Sequence, residues 1–432
     1  MPRIPSSPSN LKTGNLVVVA PHPDDEALGA GGLISQFVEN GHRVDVILLT
    51  NGDGFVQDAE RYYLTLEVTP EEYLNLGYRR MRETLDAMAV LGVGPEHVHF
   101  LGFPDGGLDQ LLFNHWVGEP FRSVTTGATK SPYIETLGEN TPYLGRELLS
   151  LLRRLFLDIK PRWVVAPSGY DEHPDHWATG AFARLAGTGS QFDMQHLSYL
   201  VHWPAWPLPL AFRPLLHQRA PEALYHLNPR RWREFVFDSD TVMRKRRALM
   251  AYQSQVELIK PFMLAFARLS EMLMEESVSD MPSSDGDEVN GQATDLQWIT
   301  LENPSRNAWT KWFNQDAPIH RVRWGILNGY QRVQVELRRS MTVEETFHVS
   351  LHMPHTSTMR HWRVDAAGVA SGLRSEVVKS AMTGRLITVA WPLTEYDHNQ
   401  VAMLGVQISN DESWQGRIPM ERYRIPIENT II

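Results

Sequence analysis

The chain is 432 residues long, carries a formal charge of -10 and contains no cysteine. That length favours two domains, and the charge argues against a general nucleic-acid surface, whose footprint is a basic face. The missing thiols exclude disulfides, thiolate metal sites and a cysteine nucleophile. Residues 1–15 lack the apolar core of a signal peptide and no apolar run reaches spanning length, so a cytoplasmic protein without a membrane span is expected.

The first predicted element is a strand over Leu16–Ala20, an uninterrupted apolar run of the kind buried on both faces of a parallel sheet. His22-Pro23-Asp24-Asp25-Glu26 follows it, where ligands bind at the carboxyl edge of open α/β sheets. One acid would suffice to cap the next helix. Three successive acids behind a histidine repel one another unless a cation neutralises them, which points to a metal site. Gly29, Gly31 and Gly32 do not make a G-x-G-x-x-G spacing, so a nucleotide loop is the weaker reading.

Helical spacing continues over 27–40, and 43–50 reads as a second strand ending in Asn51-Gly52-Asp53-Gly54, which completes a βαβ unit. A long helix over 73–91 leads to a third strand, 97–103, and to Asp105 at the same rim. Residues 108–142 lose their pattern and read as a loop or lid. A helix over 144–159 and a fourth buried strand, 162–167, precede a second cluster, Asp171-Glu172-His173-Pro174-Asp175-His176, which opens a helix ended by Gly187. A strand is expected over 196–203, and a long helix over 238–276 broken at Pro261. Residues 276–295 are acidic and serine-rich, as in a flexible linker. Beyond them, 331–338, 346–353, 385–391 and 403–408 alternate with period two, as in an all-β sandwich. The expected organisation is therefore a Rossmann-like α/β domain over 1–275 with a doubly wound, mainly parallel sheet, a linker over 276–295 and a β-rich accessory domain over 296–432.

Both clusters follow buried strands, so a parallel sheet brings them to one edge. If a member of each pair His22/Asp25 and His173/His176 faces one cavity and a further member joins, a two-histidine, one-carboxylate site results. Such a set leaves positions open for water and substrate, as catalytic zinc requires, and suits Fe(II) equally.

The paired motifs PHPDDE and HPDH resemble the LmbE-like, PIG-L family of N-acetylglucosaminyl de-N-acetylases. Thr50-Asn51-Gly52, Arg80-x-x-Glu83, Phe103-Pro104-Asp105-Gly106 and the segment from Ala248 to Gln255 are similar to further family positions, so the resemblance spans residues 15–276. Pro21 departs from it, since the family usually has alanine there. The resemblance implies that His22, Asp25 and His176 bind zinc, that Asp24 is the general base, and that His173 faces the scissile amide. Asp175 either orients His173 or caps its helix. Asn51, Arg80 and Asp105 are candidates for substrate hydroxyls; as alternatives, Arg80 and Glu83 form a helix pair and the other two form turns.

The expected function is zinc-dependent removal of acetyl from an N-acetylglucosamine-type sugar or glycoconjugate, without nucleic acid and with a homo-oligomer left open. The alternatives are amide hydrolysis on a non-sugar or antibiotic-type substrate, and a sugar-binding protein with a degenerate site. Trp203 and Trp206 read as packing residues, and His348, His352 and His355 lack neighbouring acids for a second metal site. The tryptophans from Trp298 onward suit either packing or a carbohydrate-binding face.

Overall fold

The apolar run Leu16–Ala20 forms β1, fully buried near the middle of a seven-stranded sheet. The structure is a computed structural model that describes residues 14–425 apart from 56–58, 61–62, 64–66, 191–192, 282, 285–287, 290–291, 294–297, 303–318, 354–357, 373–377, 394–399, 410–413 and 418–419. His355 lies outside the described residues, as do Trp309 and Trp312. The chain divides into two units, Met1–Glu276 and Ser277–Ile432.

In the first unit β2 (Val44–Thr50), β3 (Val98–Phe103), β4 (Trp163–Pro167), β5 (Gln195–Tyr199), β6 (Trp232–Val236) and β7 (Ser270–Glu276) join β1 in the order β3-β2-β1-β4-β5-β7-β6. The first five strands in that order are parallel, and β7 is antiparallel to both its neighbours. The chain steps outward from β1 to β2 and β3, then returns to β4 on the other side of β1. A crevice therefore opens between the carboxyl ends of β1 and β4, where the two motif clusters emerge.

Eight helices accompany these strands among the described residues: α1 (Asp25–Glu39), α2 (Pro70–Leu91), α3 (Leu108–Phe113), α4 (Gly145–Ile159), α5 (Pro174–Gly187), α6 (Glu222–Leu227), α7 (Ser239–Leu249) and α8 (Gln253–Leu264). Thr69 and Glu72 close a capping box around Pro70 at the start of α2, and Gly92 ends it at φ 89°. The glycines of α1 serve packing. A Cβ on Gly29 would lie 2.2 Å from the Tyr199 ring, and one on Gly32 2.4 Å from the Phe237 ring.

Three sequence expectations are corrected. The segment 238–276 is not one helix: α7 and α8 are separate, Ile259 is non-helical two residues before Pro261, and Ser270–Glu276 is β7. Residues 108–142 begin with α3 and continue as a hydrogen-bonded loop in which Tyr133 is fully buried, with its hydroxyl donating to Asp53 at 2.7 Å. Part of 276–295 is in strands, since Val278–Asp280 pairs with the last strand of the second unit.

That unit contains β8 (Val278–Asp280), β9 (Ser283–Ser284), the short pair β10 (Glu288–Val289) and β11 (Gln292–Ala293), β12 (Ile299–Glu302), β13 (Ile319–Leu327), β14 (Tyr330–Leu337), β15 (Thr346–Met353), β16 (Thr358–Val364), β17 (Ala370–Gly372), β18 (Lys379–Thr383), β19 (Leu386–Pro392), β20 (Val401–Ser409), β21 (Trp414–Arg417) and β22 (Glu421–Arg424). One sheet runs β12-β13-β14-β19-β18 and another β17-β16-β15-β20-β22-β8. Alternate residues of both sheets, among them Val322, Trp324, Val333, Val349, Leu351 and Val406, share one apolar cluster.

Candidate metal centre and active site

The turn after β1 places His22, Asp24 and Asp25 within a buried crevice, and the turn into α5 supplies His173, Asp175 and His176. Asp25 is the meeting point. Its Oδ2 lies 3.0 Å from His22 Nδ1 and 3.0 Å from His176 Nε2, so the two histidines and the carboxylate expected as ligands converge. Donor atoms of His22, His173 and His176 all fall within 4.8 Å of one another, and the same holds for Asp25, His176 and His202.

The fit to a cation can be read from the donors. His176 is fully buried, yet neither ring nitrogen makes an aligned hydrogen bond, although Asp25 and, at 3.3 Å from Nδ1, Asp171 stand close by. Asp24, Asp25, Asp105, Asp171 and Asp175 crowd three largely buried imidazoles, and hard oxygen with imidazole nitrogen suits a divalent first-row ion. Burial alone would push His22 down, but Asp105, Asp175 and Asp25 override it and raise its pKa well above the usual value. Burial opposes ionisation of Asp25, and His176 and His22 nevertheless hold its pKa well below the usual range. The crevice thus selects positive charge at this point.

Asp24 differs from its neighbour. It precedes α1 with φ 110°, a left-handed conformation that costs a non-glycine residue roughly 1–3 kcal/mol and collects at functional sites. Its side chain makes no cap hydrogen bond, so the capping role is not the one it plays. Burial first, and then Asp25, raise its pKa well above the usual value against the pull of Arg80, whose Nη2 lies 3.7 Å away.

The structure places the other predicted residues as follows. His173 itself caps α5, its Nδ1 accepting from Asp175 N at 3.2 Å. The Asp175 carboxylate accepts from Gly106 N at 2.7 Å and Leu108 N at 2.9 Å and approaches His22 Nε2 at 3.2 Å; the contact with His173 is made by its backbone. Asp105 reaches the same His22 nitrogen at 3.2 Å and accepts from Gly54 N at 2.8 Å. Arg80 donates to Gly52 O at 2.8 Å and Pro23 O at 2.7 Å, bridging the loops after β1 and β2, while Glu83 pairs instead with Arg79 and Ser254. Asn51 is fully buried, with its Nδ2 on Met81 Sδ at 3.2 Å and its Oδ1 without a partner. Trp206 donates to Arg219 O and meets Phe266 edge-on.

Two residues went unassigned from sequence. Asp171 backs His176 and fixes the turn, its carboxylate accepting from His173 N, Val201 N and His202 N. His202 follows β5, stands edge-on to His176 with centroids 4.6 Å apart, and stacks on Phe262. Asp171 lies within the second cluster, two residues before His173, and that proximity was an available signal. His202 lies in a tryptophan- and proline-rich stretch with none.

These features define an α/β protein with a largely buried histidine–carboxylate centre at a sheet switch point, whose donors could hold a cation. Residues 17–186 match the PIG-L family, described as GlcNAc-PI de-N-acetylase, and the chain carries a PIG-L domain there. Curated relatives include a 1D-myo-inositol 2-acetamido-2-deoxy-alpha-D-glucopyranoside deacetylase of Mycobacterium sp. (strain KMS), 29% identical over 188 residues that cover 43% of this chain and 54% of that protein. A diacetylchitobiose deacetylase of Thermococcus kodakarensis is 27% identical over 168 residues, 38% of this chain and 46% of that one. The chain therefore spans about half the length of the curated relatives it matches. Among solved structures, N,N'-diacetylchitobiose deacetylase from Pyrococcus horikoshii is 19% identical and covers 61% of this chain and 85% of its own, with a TM-score of 0.38, too low to bear on function.

Proposed function

We propose that the chain is a metal-dependent N-deacetylase acting on an N-acetylglucosamine-type sugar or glycoconjugate, with zinc, or Fe(II) in its place, held by His22, Asp25 and His176. The observation that carries this reading is the convergence of His22 and His176 on one Asp25 oxygen, each at 3.0 Å, where the two motifs meet. It agrees with the family match and with the deacetylase names of the relatives. When bound, the ion would act as a Lewis acid and bring the pKa of water towards neutrality.

The chain's own groups supply the proton chemistry. Asp24 takes the proton of the attacking water, a role supported by its raised proton affinity and by its position beside the ligand carboxylate. His173 is kept neutral first by burial and then by the neighbouring imidazoles, and its Nδ1 is occupied as an acceptor. Its proton accordingly sits on Nε2, free to be donated towards the charge developing on the amide oxygen. Asp175 and Asp105 steady His22, and Arg80 fixes the two loops that frame the crevice, so these three act on positioning, and Asp105 and Arg80 also on any sugar hydroxyl. Asn51, with a buried unpaired oxygen, offers an acceptor to such a hydroxyl.

Within this proposal the first unit is a Rossmann-like catalytic domain, supported by its strand order, and the second a sandwich-like accessory domain, supported by its shared core. A cytoplasmic location belongs to the proposal and cell fractionation tests it; among the described residues no helix is long and apolar enough to cross a membrane. The functional test is acetate release from a β-N-acetylglucosaminide, N,N'-diacetylchitobiose and an N-acetyl amino acid side by side. Release from the sugars is expected, and release from the amino acid alone would move the assignment to a non-sugar amidase.

A further inference from the structure

In the second unit the sheet β12-β13-β14-β19-β18 has one face in the core and the other on a cleft. Along β13, Val322 and Trp324 point to the core while Arg321 and Arg323 lie on the opposite face; along β14, Val333 and Val335 alternate with Gln334 and Glu336. Strand register sets these polar residues in two rows, Arg321–Glu336–Leu386–Thr383 and Arg323–Gln334–Thr388. The cleft above them has a volume of about 450 Å³, within the range of small-ligand sites, and Trp298 and Arg385 complete its walls.

Its chemistry is selective. Arg321 is paired with Glu302 at 3.0 Å and Glu336 at 3.6 Å, and its buried Nε has no hydrogen-bond partner. Among the described residues Arg323 and Arg385 have no carboxylate within ion-pair distance; Arg385 donates only to Arg338 O. Two guanidiniums with no counter-ion among the described residues, in a chain of net charge -10, suit an anionic group. Glu336 in the same cleft accepts and never donates while ionised, so beside the carboxylate the ligand must also present hydroxyls. A half-buried tryptophan in the wall offers a flat apolar face for the C–H side of a sugar ring.

We propose that this cleft binds an acidic saccharide, with Trp298 against a ring, Arg323 and Arg385 on its carboxylate, and Gln334 and Glu336 on its hydroxyls. A nucleic acid fits less well, since one cleft holding a glutamate is not a basic face. The inference goes beyond the catalytic proposal and does not rest on it, because its readout is binding without turnover.

The test is calorimetric titration of the full chain with tetragalacturonate and, as a neutral probe of equal length, chitotetraose. Tetragalacturonate should bind more tightly, and raising salt should weaken it. Trp298→Ala and Arg323→Gln should each lower its affinity about tenfold, as the loss of a stacked ring or a charged hydrogen bond entails. Arg323→Lys, which keeps the charge and loses the fork, should fall between Arg323→Gln and the parent chain. An unchanged thermal transition identifies variants that are folded, and Arg323→Gln, on the solvent face, serves if Trp298→Ala is not. No binding of tetragalacturonate, equal or tighter binding of chitotetraose, full affinity in both folded variants, or preferential binding of a DNA oligonucleotide would each overturn the proposal.

Discussion

Replacing Asp171 by asparagine removes one charge from behind His176 while keeping the shape of the side chain. The carboxyl is held at about 2; burial works against this, and His176, His202 and the Val201 N–H more than compensate. Lowering it from its usual 3.8 corresponds to about 2–3 kcal/mol at roughly 1.4 kcal/mol per tenfold. His176 reports the same partnership from the other side, its pKa raised to about 9 by Asp171 and Asp25 against the opposing effect of burial. A carboxylate behind a ligating imidazole typically contributes 10–100-fold to metal affinity. Asp171→Asn should therefore weaken zinc binding by about that factor, read by competition with a chromophoric chelator, while the fold survives. Asp171→Ala goes further, because it strips the acceptors from His173 N, Val201 N and His202 N and leaves buried donors at about 1–3 kcal/mol each. It should lower the unfolding midpoint as well as the metal affinity. An Asp171→Asn protein that holds zinc as tightly as the parent would refute the reasoning, since the geometry would then carry no charge coupling to the ligand.

Adjacent acids should separate by role: Asp24→Asn should retain zinc and lose roughly 10²–10⁴-fold in turnover, whereas Asp25→Asn should lose the metal itself, both measured by metal analysis beside acetate release. Acid should unfold the second unit through its buried histidines, since burial and then His361 lower the pKa of His352 from 6.5 to about 3. A base so depressed contributes stability that is complete above 6.5 and is lost as pH falls towards 3, about 2–3 kcal/mol by pH 4.5, so His352→Gln should reduce the gap between urea unfolding at pH 7.5 and pH 4.5. Gly29→Ala drives a methyl to 2.2 Å from the Tyr199 ring and should cost about 1–3 kcal/mol by calorimetry, where an unchanged midpoint would contradict the packing assigned to α1.

The readable parts of the sequence are those where local pattern and burial agree. β1 and β4 are apolar runs buried on both faces, so their ends and the motifs beyond them could be located without tertiary information. α2 carries its own punctuation in Thr69, Pro70, Glu72 and Gly92. β7 was not readable, because Ser-Glu-Met-Leu-Met-Glu-Glu is rich in helix formers and becomes a strand only by pairing between β5 and β6. Val278–Asp280 has the composition of a linker and is ordered through backbone pairing with β22, which side-chain pattern cannot report. The histidine–carboxylate cluster was legible as a set, but not the partners behind it: Asp175 turns to His22, a residue 153 positions away, and no local spacing encodes that contact. The segment containing Tyr252 and Ser254 shows the same limit, since its hydroxyls secure Glu26 and Glu83 from a distant part of the chain.

The most direct measurement of the central claim is a zinc titration of the metal-stripped full chain, followed by acetate release from N,N'-diacetylchitobiose. The convergence of His22, Asp25 and His176 predicts no release from the stripped protein and release that rises to a plateau at one equivalent of metal. Release that persists undiminished after stripping, or a plateau reached equally by a His176→Ala protein, would contradict it.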